Sequence, residues 1–361
     1  MAEYGGRPRQ LVLISSPLQG HMTPMLQLAS YLHSKGFSIT FAHSELNPPR
    51  PSNHSDFEFI PLPDNSSDTG GSSGFIQFLQ ALNNNCKPHL MKHLIQIIDA
   101  QKEIYQKESI VIIHDNLMFC AGAIAGDLGL PSIIVRSSSA ACVPAYRIIP
   151  RLHKEGRFPV EAQQSLQLTT MFTSKTPPVA FIWNTIEFLE LSALTQIRHR
   201  YQVPIFTIGP LHKTSPTLST TFLEEDTSCI SWLDKQSPKS VIYVSVGSIA
   251  TMDAKVATEM AWGIANSDQP FLWVVRPGSV HGCDWIEFLP EGLVIKMKMG
   301  LEMVVERGEI ESAIRRILAS KEGEEMRSRA MEIEEQVKVA VSHGGSSKNS
   351  MDDLVKFILS L

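Results

Sequence analysis

Seven short apolar runs, each released into loop residues, constrain the fold of this chain more than any other feature. They are Gln10 to Ser15, Ser38 to Ala42, Phe57 to Pro61, Ser109 to Ile113, Ser132 to Val135, Ala180 to Trp183 and Ile205 to Ile208. Runs that are apolar throughout, instead of alternating with polar residues, suit strands covered on both faces, the condition of a parallel sheet. Parallel neighbours need long crossovers. The segments between the runs supply them: Phe75 to Tyr105, with a break expected near Pro88, then Met118 to Leu128 and Glu187 to His199. The alternation predicts an α/β fold built on a doubly wound parallel sheet across residues 1–210. Asp64 to Gly74, rich in Gly, Ser and Asp, reads as a surface loop.

The first run opens into Pro17-Leu18-Gln19-Gly20-His21-Met22-Thr23-Pro24. Thr23 suits a helix N-cap and Pro24 the first helical position, with Met25, Leu28, Ala29 and Leu32 following at core-facing spacing until Gly36. This pattern puts His21 in a βα turn at the carboxyl edge of the sheet, where open α/β folds bind ligands. A helix N-terminus beside the ring disfavours the imidazolium and leaves a neutral base. Alone, a loop histidine is more often a surface or packing residue. Asp115, just past the Ser109 to Ile113 run, alone reads as an N-cap or turn aspartate. As a pair they mean more: from parallel strands of one sheet they leave the same edge, and a carboxylate there can orient the imidazole and stabilise its protonated form.

The rest of the composition narrows the class. With 361 residues the chain is long enough for two domains. Thirty-two Lys and Arg against 37 Asp and Glu give a net charge of −5 without a basic block, which argues against nucleic acid or an anionic membrane as the partner. No apolar run reaches the length of a membrane span, and the N-terminus lacks the pattern of a signal peptide, so a cytoplasmic location is expected. The five cysteines are scattered without a C-x-x-C pair and read as reduced thiols, with neither disulfide framework nor metal site.

A polar, proline-punctuated linker at 211–226 marks a domain boundary. Beyond it, Ser228 to Asp234 suggests a short helix, Val241 to Ser245 a buried strand, and Gly247-Ser248 a tight turn before a helix from about Asp253. Gly then Ser between strand and helix lets backbone approach a phosphate closely, although a plain βα connection is the commoner meaning of such a turn. Past Trp273 the pattern offers at most one weak strand, then helices at Glu309 to Leu318, Glu322 to Val341 and Ser347 to Leu361.

Taken in order, these residues resemble the plant family-1 UDP-sugar-dependent glycosyltransferases that act on small molecules. The resemblance is carried by Gly20-His21-Met22-Thr23-Pro24, the Asp115 turn, Phe181-Ile182-Trp183-Asn184-Thr185, Ile208-Gly209-Pro210-Leu211, Ser231-Trp232-Leu233-Asp234, Val244-Ser245-Val246-Gly247-Ser248, Phe271 to Pro277 and Phe288-Leu289-Pro290-Glu291-Gly292. It implies a GT-B fold of two Rossmann-like domains: an acceptor-binding one at 1–210 and a nucleotide-sugar-binding one at 227–361. It also implies His21 as the base that takes the acceptor proton, Asp115 as its holder, Gly247 and Ser248 at the donor diphosphate, and Gly20, Ser137 and Ser138 along the acceptor pocket. Attack would be direct and inverting, with a UDP-sugar as co-substrate, a small molecule as acceptor, and no cofactor or metal.

The chain departs from that family at one place. The family's signature box follows the Phe-Leu-Pro-Glu-Gly stretch and carries the Trp for uracil, the His for phosphate, the Glu for ribose and the Asp-Gln pair for the sugar. Here Leu293 to Gly300 runs directly into Leu301 to Arg307, no Trp follows Trp285, and the one later His is His343. The expectation is an incomplete second domain in which donor binding is weak or lost.

Overall fold

The computed structural model describes residues 9–50, 54–64, 75–102, 110–157, 177–214, 227–247, 251–275, 279–281 and 306–361. The chain divides into two compact units, Met1–Leu223 with Val337–Leu361, and Glu224–Gln336.

In the first unit, all seven apolar runs form strands: β1 (Gln10–Ser15), β2 (Ser38–Ser44), β3 (Glu58–Leu62), β4 (Ile110–Asp115), β5 (Ser132–Arg136), β6 (Ala180–Trp183) and β7 (Ile205–Thr207). They make one sheet in the order β3-β2-β1-β4-β5-β6-β7, every pairing parallel. β1 and β4 are buried nearly end to end, as strands covered on both faces must be. Among the described residues five helices connect these strands: α1 (Gln19–Ser34), α2 (Phe75–Lys102), α3 (Phe119–Leu128), α4 (Cys142–Lys154) and α5 (Glu187–Tyr201). One face of the sheet packs Leu11, Leu13, Val111 and Ile113 against α1, and the other packs Val12, Ile14 and Ile112 against α2 and α3.

The break expected near Pro88 does not occur; α2 runs unbroken through it. Proline there removes the hydrogen bond to the Asn84 carbonyl, and both residues lie on the exposed face, where water can take up the freed group.

The second domain expected at 227–361 differs in composition from the second unit. Its last helix, Ser346–Ser360, belongs to the first unit, where Met351, Leu354 and Ile358 are fully buried in the core built on β1 and α1. Phe357 meets Phe206 of β7 at 5.4 Å between ring centroids, and Arg9 donates to the Ile358 carbonyl at 3.0 Å. The physical cause is an amphipathic helix whose apolar stripe finds the uncovered end of the seven-stranded sheet.

Among the described residues of the second unit there are two small parallel sheets, β8 (Ile242–Val244) with β10 (Phe271–Trp273), and β9 (Met252–Asp253) with β11 (Val280–His281). The helix Ala254–Ala265 packs between them and the helix Arg307–Ala319, and its start is fixed by the Asp253 side chain accepting from the Lys255 amide at 2.7 Å. Tyr243 on β8 is 64% exposed, so this sheet leaves one face open.

Candidate active site

The strand order reverses between β1 and β4. A parallel sheet opens a crevice at its carboxyl edge at such a switch point, because the connections on either side leave in opposite directions. β1 delivers His21 to that crevice and β4 delivers Asp115, its last residue.

His21 stands in the first turn of α1 and not in the βα turn that Thr23 and Pro24 suggested. Leu18 is the N-cap, and its carbonyl accepts from the His21 and Met22 amides at 2.9 and 2.8 Å. Pro24 is tolerated inside the helix because the bond it removes would end on the carbonyl of Gly20, an exposed residue four positions earlier. A Cβ placed on Gly20 would meet nothing within 4 Å.

His21 Nδ1 lies 2.6 Å from Asp115 Oδ2, while Asp115 Oδ1 accepts from the Leu117 amide at 2.7 Å. A carboxylate can only accept, so Nδ1 carries the proton and donates it, leaving the Nε2 lone pair as the base. Asp115 is sealed in with its side chain 2% exposed, whereas the His21 side chain keeps 19%. Burial alone would lower the His21 pKa; the Asp115 charge and hydrogen bond outweigh it and hold the ring above its ordinary value. The expected lowering by the helix N-terminus is therefore overruled by the carboxylate.

Ser137 also reaches the ring. Its Oγ is 3.1 Å from His21 Nδ1, so it touches the base itself, a contact beyond its expected place along the acceptor pocket. Ser138 is half-buried in the same loop. That loop is held from below by Glu190, a residue that sequence pattern did not single out: its carboxylate accepts from the Ser139 hydroxyl and from the Ala140 and Ala141 amides at 2.9 and 3.1 Å. Glu190 sits at a kink inside the helix Glu187–Tyr201 (φ −128°, ψ 24°), which turns its side chain toward the N-terminus of α4. Its pKa is pushed up by burial and more strongly down by these donors together with the Thr185 side chain, ending below the usual carboxylate value.

In the second unit Gly247 follows β8 with φ +77°, a left-handed conformation that favours glycine. Ser248 and the 293–300 segment lie outside the described residues. Among the described residues no group of three or more His, Cys, Asp or Glu could hold a metal ion.

UDP-glycosyltransferase 76H1 of Stevia rebaudiana is 47% identical, over 93% of this chain and 100% of that protein. The chain belongs to the plant UDP-glycosyltransferases. UDP-glycosyltransferase 76E1 of Solanum lycopersicum is 33% identical, over 98% of this chain and 93% of that protein. The match to the Stevia protein extends over 428 positions, more than the 361 residues of the chain, so that alignment includes positions with no residue here. Among solved structures, Os79 from O. sativa in complex with UDP has a TM-score of 0.76 at 19% identity, covering 97% of this chain and 100% of that one. Phytolacca americana UGT2, complexed with UDP-2fluoro-glucose and pterostilbene, has a TM-score of 0.74 at 16% identity, covering 97% and 99%. The fold is thus the α/β GT-B type of these plant transferases. No family model matches the chain.

Proposed function

We propose that this glycosyltransferase moves a sugar, with glucose as the first candidate, from a UDP-sugar onto a hydroxyl or carboxyl oxygen of a small plant metabolite. His21 Nε2 takes the acceptor proton, the acceptor oxygen bonds to the anomeric carbon, and the bond from that carbon to UDP breaks on the opposite side. A UDP α-sugar then gives a β-glycoside. Asp115 holds the ring and stabilises its positive charge once the proton has moved. UDP-sugar is the co-substrate in this scheme, and no cofactor takes part. Gly20, Ser137 and Ser138 border the acceptor, and Gly247 with Ser248 meets the donor diphosphate. The single observation that carries the reading is the 2.6 Å His21–Asp115 bond at the β1/β4 switch point.

The proposed setting is cytoplasmic, without a nucleic-acid or membrane partner. Four described cysteines are free, and no helix among the described residues is long and apolar enough to cross a membrane.

A second reading, that of a non-catalytic remnant which binds an acceptor or a partner, is favoured by the sequence around 293–300. Uracil, ribose and sugar contacts have no recognisable counterpart there, which leaves Gly247 and Ser248 as the main donor contacts. Losing three contacts worth about 1.4 kcal/mol each weakens binding roughly 1,000-fold. Calorimetric titration of the full chain with UDP separates the two. A micromolar dissociation constant establishes a working donor site and sinks the remnant, whereas absence of binding at millimolar UDP sinks the transferase reading for this polypeptide.

A further inference from the structure

Asn83 lies on the apolar stripe of α2, among Leu79, Leu82, Cys86 and Leu90, and is 1% exposed. An asparagine there has two costs: it is a weak helix former, and its buried amide must find partners for its polar atoms. It finds them across the interface with α3. Nδ2 donates to the Leu117 carbonyl at 2.8 Å and to the Leu79 carbonyl of its own helix at 2.9 Å, while Oδ1 accepts from the Cys120 amide at 2.9 Å. Those partners fix which way the side chain faces, because a carbonyl only accepts and a backbone amide only donates.

Both bonds that leave α2 act on the segment just after Asp115. Met118, the N-cap of α3, makes no side-chain cap, and Asn83 Oδ1 supplies one from the neighbouring helix by accepting from Cys120 in the first turn. Leu117 is held on both sides: its amide donates to Asp115 Oδ1 at 2.7 Å, and its carbonyl accepts from Asn83. The other oxygen of that carboxylate, Oδ2, is the one that meets His21 Nδ1. Asn83, Leu117, Asp115 and His21 are thus joined by three hydrogen bonds in succession, and the far end is anchored in the core between α2 and α3.

We propose that Asn83 is a positioning residue for the transfer reaction: by holding the Leu117 carbonyl it keeps the Leu117 amide on Asp115 Oδ1, and so keeps Oδ2 aimed at His21 Nδ1. A carboxylate tied at one oxygen cannot turn about its last bond without breaking that tie. With the Leu117 carbonyl released, the amide is free to swing away and the carboxylate loses its fixed angle. The ring then loses the acceptor that keeps its proton on Nδ1. Wherever the proton moves to Nε2, no lone pair is left there for the acceptor. This role rests on His21 acting as the base, but its test reads the place of the ring proton and not turnover, so the two can fail separately.

The experiment is ¹⁵N NMR of the full-length protein with labelled histidine, at a pH where the ring is neutral. The nitrogen shifts distinguish the Nδ1–H from the Nε2–H tautomer, and the His21 signals are assigned by their disappearance in His21→Ala. Wild type should show the Nδ1–H form. Asn83→Leu, of similar shape but able to make none of the three bonds, should move the tautomer ratio roughly tenfold toward Nε2–H, since a hydrogen bond to a charged group is worth at least that much. Asn83→Ala serves where Asn83→Leu does not fold. Leu90→Ala, two turns further along α2 in the same core, should destabilise the protein and leave the tautomer as in wild type. An unmoved tautomer in a folded Asn83 variant overturns the proposal and leaves His21 as the base. So does a change in Leu90→Ala as large as in Asn83→Leu, because a loosened core would then be the cause. A wild-type ring with its proton on Nε2 overturns both this role and the base.

Discussion

His21 and Asp115 split the handling of one proton between them. The ring moves it, and the carboxylate decides which nitrogen offers the lone pair. Under the proposed transfer reaction, His21→Ala should lower the rate about 100-fold to 10,000-fold, measured as glycoside formed from a UDP-sugar with a phenolic acceptor. Activity unchanged in that variant would place the base elsewhere. The pH dependence has a definite sign. His21 is held above its ordinary value of 6.5, and only the deprotonated ring is a base, so the rate should climb with pH through that raised value. Asp115→Asn removes the charge that raises it and leaves only a neutral amide oxygen as acceptor, so the acid limb of the pH–rate profile should move to lower pH while the plateau falls. The same pair stabilises the folded chain fully below pH 6.5 and loses that contribution as pH rises through the raised His21 value. Both residues were legible in the sequence because each lies in the short segment into which an apolar run opens. Glu190 was not, since its meaning comes from the Ala140 and Ala141 amides, and nothing in local pattern names such distant partners.

At the scale of elements, the apolar runs were enough to place all seven strands of the first sheet, since a strand buried on both faces leaves no polar alternation to misread. Helix starts were harder to read. Thr23-Pro24 has the local chemistry of a start, yet α1 begins at Gln19 because Leu18 offers its carbonyl to the first turn. The loop from Ser137 to Ala141 gains its order from the neighbouring helix through Glu190. Glu190→Ala should cost about 0.5–2 kcal/mol, the range for losing a helix cap, and should speed hydrogen exchange at the Ala140 and Ala141 amides. Thermal unfolding and exchange mass spectrometry would show both; exchange at these amides that matches wild type would mean the loop is held by other contacts. The Glu190 pKa is depressed, so this contribution is present above the ordinary carboxylate range and fades as pH falls through the lowered value.

For the whole molecule, the α/β class could be read from the apolar runs, but the return of the last helix could not, because an amphipathic stripe does not name the surface it will cover. Leu354→Ala, deep in the core of the first unit, should cost about 2–5 kcal/mol, and a chain ended before Ser346 should melt well below the full-length protein. A truncated form with wild-type melting would show that Met351, Leu354 and Ile358 contribute nothing to that core. Arg9 and the Ile358 carbonyl are 349 positions apart in sequence and 3.0 Å apart in space. On the ribosome, therefore, β1 emerges long before the helix Ser346–Ser360, and the part of its core that this helix covers stays open until the helix appears. A genetic corollary follows from that order. Nucleotides lost from the second unit in multiples of three leave the helix Ser346–Ser360 encoded, whereas a frameshift anywhere upstream of Ser346 removes the piece that closes the first unit.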